Sequence, residues 1–161
     1  MQVPASTPSD RIDDSALRVT ELHRGISRED LYALEGEIEA AGRALAKAIA
    51  NGGKILFLGC GGSAAMAQHL AAELVVRFRE NRRPLPGVAV TDSAVLTAAA
   101  NDFGWEQALA RPVLALARPG DAVVALSTSG ESPAVLEAAR DICDNSRLTV
   151  GAWRSPVAHM T

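Results

Sequence analysis

Gly59-Cys60-Gly61-Gly62-Ser63 stands between an apolar stretch, Lys54–Leu58, and a long alanine-rich segment. Ser127-Thr128-Ser129-Gly130-Glu131-Ser132 occupies the same kind of position farther along the chain. Glycine lets backbone come close to a ligand, and the N–H groups that open a helix favour anions. The hydroxyls of Ser127, Thr128, Ser129 and Ser132 add neutral donors, and no lysine accompanies them. Neutral donors at a helix end suit a phosphorylated small molecule that must bind and then leave, such as a sugar phosphate. The first loop does not follow the G-x-G-x-x-G spacing, and no acidic residue at a second strand end would obviously hold a ribose, so a dinucleotide site is a poor match. A plain structural turn is the other reading of that loop, and it weakens once the second loop is counted.

His69 and Glu73 follow the first loop at i and i+4, which on a helix places them on one face. A histidine and a carboxylate so placed can hold a divalent metal together or act as acid and base. They can equally form a surface pair contributing a few tenths of a kcal/mol. The apolar neighbours Leu70, Ala71, Ala72 and Leu74 predict a largely buried helix, which weighs against a purely solvated pair. Asn101-Asp102-Phe103-Gly104 could carry a carboxylate into the cleft on a loop, although such a sequence is also an ordinary helix stop. Cys60 lies above a helix N-terminus, where thiol pKa values fall in general, but no base is visible beside it.

Positioning these residues requires strands and helices in alternation. A short helix is predicted over 15–24, ended by Gly25, after a disordered segment at 1–14. Ser27 and Asp30 resemble a capping box. Leu31, Leu34, Ile38, Ala41, Leu45 and Ala48 then recur at three and four, one apolar helical face, until Asn51-Gly52-Gly53 stops the helix. Strands are predicted at 54–58, 88–90, 122–126 and 148–152, and helices at 63–80, 93–100, 105–117 and 133–141, with a turn over 81–86. This is an α/β fold, a doubly wound parallel sheet with flanking helices in a flavodoxin-like three-layer sandwich. In such sheets ligands sit beyond the carboxyl ends of the strands, where both loops fall. Residues 15–161 form one domain. No helix follows the fourth strand, so either another chain finishes the sheet or the protein is a shortened version of a longer one.

The formal net charge of −3 and a single local basic run, Arg77, Arg79, Arg82 and Arg83, argue against nucleic acid. That run reads as a solvated helix end. Cys60 and Cys143 lie far apart with no metal-type or redox-type spacing, as reduced cysteines of a cytoplasmic protein do. No apolar run approaches the roughly 20 residues of a bilayer span, so no membrane partner is expected.

Taken together, these residues resemble the sugar isomerase (SIS) domain family, in its phosphoheptose isomerase branch, from about Leu31 onward. The stretches that carry the resemblance are G-C-G-G-S-A-A-M-A-Q-H-L-A-A-E-L at 59–74, R-F-R-E-N-R at 77–82, A-N-D-F-G at 100–104 and S-T-S-G-E-S at 127–132. The family's form of the first is G-N-G-G-S-x-x-D-A-Q-H-F-A-A-E-L. The resemblance implies isomerisation of sedoheptulose 7-phosphate to D-glycero-D-manno-heptose 7-phosphate, in heptose biosynthesis. It also implies a homotetramer with active sites between subunits. Substrate contacts fall on Cys60, Gly61, Gly62 and Ser63, on Asp102, and on Ser127, Thr128, Ser129 and Ser132. Glu73 matches the catalytic base, and His69 with Glu73 matches part of a zinc site found in some members. Cys60 stands where the family has Asn, Met66 where it has Asp, and Glu131 where this branch commonly has Asn. The family's remaining catalytic His and a zinc-binding Gln would lie beyond residue 161. The same fold also serves non-catalytic binding proteins of the replication-initiator-associating type, and a sugar-phosphate sensor is a third reading.

Overall fold

The computed structural model describes residues 18–20, 28–144 and 149–154. Arg18–Thr20 is a short strand, β1, where the local pattern predicts helix. Val19 and Thr20 are β-branched, and pairing with the last strand of the sheet overrides the weak helical signal. The rest of that predicted helix, Ser27 of the capping box and the segment at 1–14 fall outside the described residues. Arg28–Ala50 is the helix α1. Ala48, Leu45 and Ile49 pack it on the sheet, whereas Ile38 is exposed. Asn51-Gly52-Gly53 ends it as predicted: the Gly53 N–H donates to the Ala48 carbonyl at 2.9 Å and the Gly52 N–H to Ile49 at 3.0 Å. These two bonds satisfy carbonyls that the helix itself leaves without partners.

Ile55–Gly59 (β2) is buried at every position, as a wholly apolar strand covered on both faces must be. Gly62–Val75 (α2) returns the chain to Gly87–Ala89 (β3). Ser93–Phe103 (α3) and Gln107–Leu116 (α4) lead to Ala122–Ser127 (β4). Pro133–Asp144 (α5) then leads to Thr149–Arg154 (β5). All pairings are parallel, and the five strands lie in the order β1-β5-β4-β2-β3. Among the described residues the sheet therefore has one strand more than the sequence pattern predicts.

Side chains alternate across it. Leu56, Leu58, Val123 and Ala125 meet α4 and α5 through Leu109, Val113, Val135, Ala138 and Ile142. Ile55, Phe57, Ala122 and Leu126 meet α1 and α2 through Ala48, Ala67 and Ala71. Two apolar layers on one sheet make the three-layer sandwich, and each fully buried Leu or Val contributes about 1.5–3 kcal/mol. β2 has β3 on one side and β4 on the other, so the chain reverses its course across the sheet between β2 and β4. Gly59 and Leu126 are register partners there, and the loops leaving both strands start level with each other.

The opposite end of the same two strands is closed by Asp121, only 5% exposed. Its carboxylate accepts the Lys54 N–H at 2.9 Å and the Arg118 N–H at 2.7 Å, and pairs with the Lys54 ammonium. Burial pushes the Asp121 carboxyl up, but the bonds from Lys54 and Arg118 outweigh it and hold it below its ordinary value.

Candidate functional site

Gly59 ends β2 without a side chain because α2 begins directly above it. A Cβ there would lie 2.7 Å from Ser63 Cβ and 3.0 Å from the Leu126 carbonyl oxygen. Gly61 turns the chain at φ 56° and ψ −122°, a conformation side chains rarely tolerate, and serves as the N-cap of α2. The Ser63 and Ala64 N–H groups close this turn on the Cys60 and Gly61 carbonyls, each at 3.0 Å. No side chain caps α2, and its first turn holds no acidic residue, so no negative charge of its own offsets the positive end of the helix.

The second loop is braced by its own serines. Ser127 Oγ accepts the Gly130 N–H at 3.1 Å, and Ser129 Oγ accepts the Glu131 N–H at 3.0 Å. Each hydroxyl that accepts in this way keeps its own hydrogen to donate outward. The Ser132 carbonyl accepts from Leu136 N–H at 2.9 Å, which starts α5 with Pro133 at the first helical position. Ser132 Oγ lies 3.6 Å from Cys60 Sγ, so the two loops meet. Cys60, Ser63, Ser127, Ser129 and Ser132 are half-buried there, while Gly61, Gly62 and Thr128 are exposed.

α2 carries the His–Glu pair away from the loops. His69 Nε2 and Glu73 Oε1 are 3.7 Å apart, with His69 64% and Glu73 31% exposed. The helix is less buried than its composition predicts. Ala67 and Ala71 form the buried contact, and His69 and Glu73 each lie two positions later, about 200° around the helix, facing outward. Among the described residues no third His, Cys, Asp or Glu joins the pair as a metal cluster. α2 also stops at Val75 and not near residue 80, because Arg82 and Leu85 bind the carbonyls of its last turn. Arg82 was hidden in the basic run; only its spacing from the helix end could have singled it out.

Asp102 is not on a loop. α3 continues through Asn101, Asp102 and Phe103 until Gly104, whose N–H donates to the Ala100 carbonyl at 3.1 Å. Asp102 is exposed, accepts from Asn101 Nδ2 at 2.8 Å, and lines an open groove of about 550 Å³ with Phe103, Gln107 and Arg111. The Arg111 guanidinium stacks 3.7 Å above the Phe103 ring in that groove. The structure thus joins the two loops and places the His–Glu pair on the helix the first loop opens, while Asp102 belongs to a separate groove between α3 and α4.

Residues 22–147 match the family model described as the SIS domain. A phosphoheptose isomerase of Solidesulfovibrio magneticus is 56% identical over 115 residues, which are 71% of this chain and 56% of that protein. One of Roseiflexus sp. is 42% identical over 147 residues, 91% of this chain and 75% of its own length. The solved phosphoheptose isomerase of Neisseria gonorrhoeae superposes with a TM-score of 0.70 at 38% identity, covering 78% of this chain and 65% of that one. Against the first few of these curated relatives, the chain spans little more than half their length. No helix among the described residues is long and apolar enough to cross a membrane.

Proposed function

The chain belongs to the SIS domain family, and we propose that its activity is the interconversion of sedoheptulose 7-phosphate and D-glycero-D-manno-heptose 7-phosphate. The observation that carries this reading is the level start of the two loops, at Gly59 and Leu126, where the chain reverses across the sheet. The phosphate is bound by the outward hydroxyl hydrogens of Ser127, Ser129 and Ser132, with Thr128 and Ser63 beside them and the uncapped start of α2 supplying positive potential. Cys60, Gly61 and Gly62 line the near side. Asp102 contacts sugar hydroxyls in this reading only if the α3 end is brought to the loops.

Glu73 is the base. Its carboxylate takes a proton from C1 of the ketose, leaving an enediolate across C1 and C2. Return of a proton to C2, with a proton passing from the C1 oxygen to the C2 oxygen, yields the aldose without net gain or loss of atoms. His69 orients the carboxylate or shares a zinc ion with it. Two ligands of one tetrahedral zinc, with bonds of about 2.0–2.2 Å, lie about 3.3–3.5 Å apart. The 3.7 Å between His69 Nε2 and Glu73 Oε1 is close to that span, so the pair fits as two ligands of four. Zinc bound there would supply a Lewis acid for the enediolate oxygen. Because the pair faces outward from α2, we assign completion of the site to a neighbouring subunit in a cytoplasmic homotetramer, and sedimentation should show a dimer or tetramer; a monomer at micromolar concentration would contradict it.

The deciding experiment follows turnover and deuterium uptake from D2O. Glu73→Gln preserves size and hydrogen bonding but cannot accept the proton, and should lower kcat at least about 10²-fold. His69→Ala should cost about as much when a chelator abolishes activity, and less when it does not. An active Glu73→Gln protein refutes the assignment of the base. A wild-type protein that neither converts nor exchanges substrate is instead a non-catalytic SIS binding protein.

A further inference from the structure

The basic run after α2 has one member with a different fate from the rest. Arg77, Arg79 and Arg83 are exposed, whereas Arg82 is half-buried and folds back over the end of the helix. Its guanidinium donates to the Glu73 carbonyl at 2.6 Å and to the Leu74 carbonyl at 2.8 Å. A third bond, to the Arg83 carbonyl at 3.0 Å, fixes the guanidinium against its own backbone. α2 ends at Val75, and the Val76 N–H is its last capping donor, to Ala72 at 2.8 Å. The carbonyls of Glu73 and Leu74 therefore lie in the turn whose acceptors no longer have helical donors. Leu85 N–H shares the Leu74 carbonyl at 3.0 Å, and Arg82 holds that of Glu73. A planar fork can bind two successive carbonyls at once, which an ammonium cannot do with the same geometry, and a cation there also complements the helix dipole.

We infer that Arg82 is a positioning residue for Glu73, clamping the last turn of α2 so that the Glu73 carboxylate is presented at a fixed place. The inference rests on Glu73 being the base. Glu73 sits two residues from the helix end, where opening costs least. The serine loop that binds the phosphate is carried by β4 and α5, so losing the clamp should disturb proton transfer and leave phosphate binding alone.

The test uses the full chain and three variants, Arg82→Ala, Arg82→Lys and Arg83→Ala. Arg82→Ala should lower kcat by about tenfold or more, the effect of losing bonds from a charged donor, with KM for the sugar phosphate within about twofold. Arg82→Lys should fall between, and Arg83→Ala should match wild type. Added guanidinium at millimolar concentration should restore part of the Arg82→Ala rate and none of the wild-type rate. Amide deuterium exchange at Val76 should quicken about tenfold in Arg82→Ala while that of β4 does not change. An unchanged kcat overturns the inference. So does a joint loss of kcat and KM with a lowered Tm and no rescue. If wild type turns over no sugar phosphate, the isomerase reading fails on its own, and the exchange decides the clamp: acceleration confined to the end of α2 sustains it, and none overturns it.

Discussion

Replacing Ser127 and Ser129 together with Ala removes two hydroxyls that have two jobs each. Each accepts a backbone N–H, from Gly130 at 3.1 Å and from Glu131 at 3.0 Å. On the proposed reading each also donates its own hydrogen to the phosphate. A hydrogen bond to a charged group contributes roughly 1.5–3 kcal/mol, and about 1.4 kcal/mol corresponds to a factor of ten. The freed Gly130 and Glu131 N–H groups can turn toward the anion and recover part of the loss, so the lower end applies. That gives about tenfold in KM for each serine and about 10²-fold for the double variant. kcat should stay within about threefold, because Glu73 lies on α2 and not on this loop. The internal bonds, worth about 0.5–1.5 kcal/mol each, should lower Tm without unfolding the protein. Initial rates over a range of sugar phosphate, with inorganic phosphate as competitor, read KM and kcat, and thermal unfolding reads Tm. A double variant with wild-type KM and an unchanged inhibition by phosphate would refute the assignment of the loop, whatever its Tm.

Two further outcomes test the frame that holds the site. Asp121→Asn should cost about 1.5–3 kcal/mol in urea unfolding at pH 7. The native carboxyl titrates below its ordinary value of about 3.9, so its contribution is present above that pH and fades as pH falls through the lower native value. Wild type and variant should therefore converge in acid, and a constant gap between their curves would show that the carboxylate is not the stabilising group. Gly59→Ala should cost about 1–3 kcal/mol and raise KM, because its methyl meets Ser63 Cβ at 2.7 Å. Gly36→Ala, with nothing within 4 Å, should instead stabilise α1 by about 0.5–1 kcal/mol, and equal effects at the two glycines would contradict the packing argument.

What the chain discloses locally and what it does not can be seen on α2. Its start is legible, because glycines and a serine after an apolar run mark the turn by residue type. Its end is not: Val75, Val76 and Phe78 continue an apolar periodicity, and the stop comes from Arg82 and Leu85 reaching back through space. The exposure of His69 has a related cause. Apolar neighbours predict burial of a helix, but the face is set by which two alanines touch the sheet. α3 shows the reverse error. Asn101 and Asp102 are weak helix formers, so the pattern breaks at Ala100, whereas the Gly104 cap draws the helix on to Phe103. β1 is not legible from three residues: two β-branched side chains, Val19 and Thr20, are too short a signal until the edge of β5 supplies a partner.

The pairing of Gly59 with Leu126 also sets when the site comes into being. The glycine loop leaves the ribosome well before β4 does, and contacts so distant along the chain close late in folding. A ligand that bridges both loops has nothing to hold in the unfolded chain, so its binding free energy adds to the stability of the fold. At a concentration a hundredfold above its Kd, that addition is about 2.7 kcal/mol. On the proposed reading, substrate supply would act on the lifetime of the protein as well as on its flux: a cell short of the sugar phosphate would expose the β2–β4 junction to proteases more often than one that is replete.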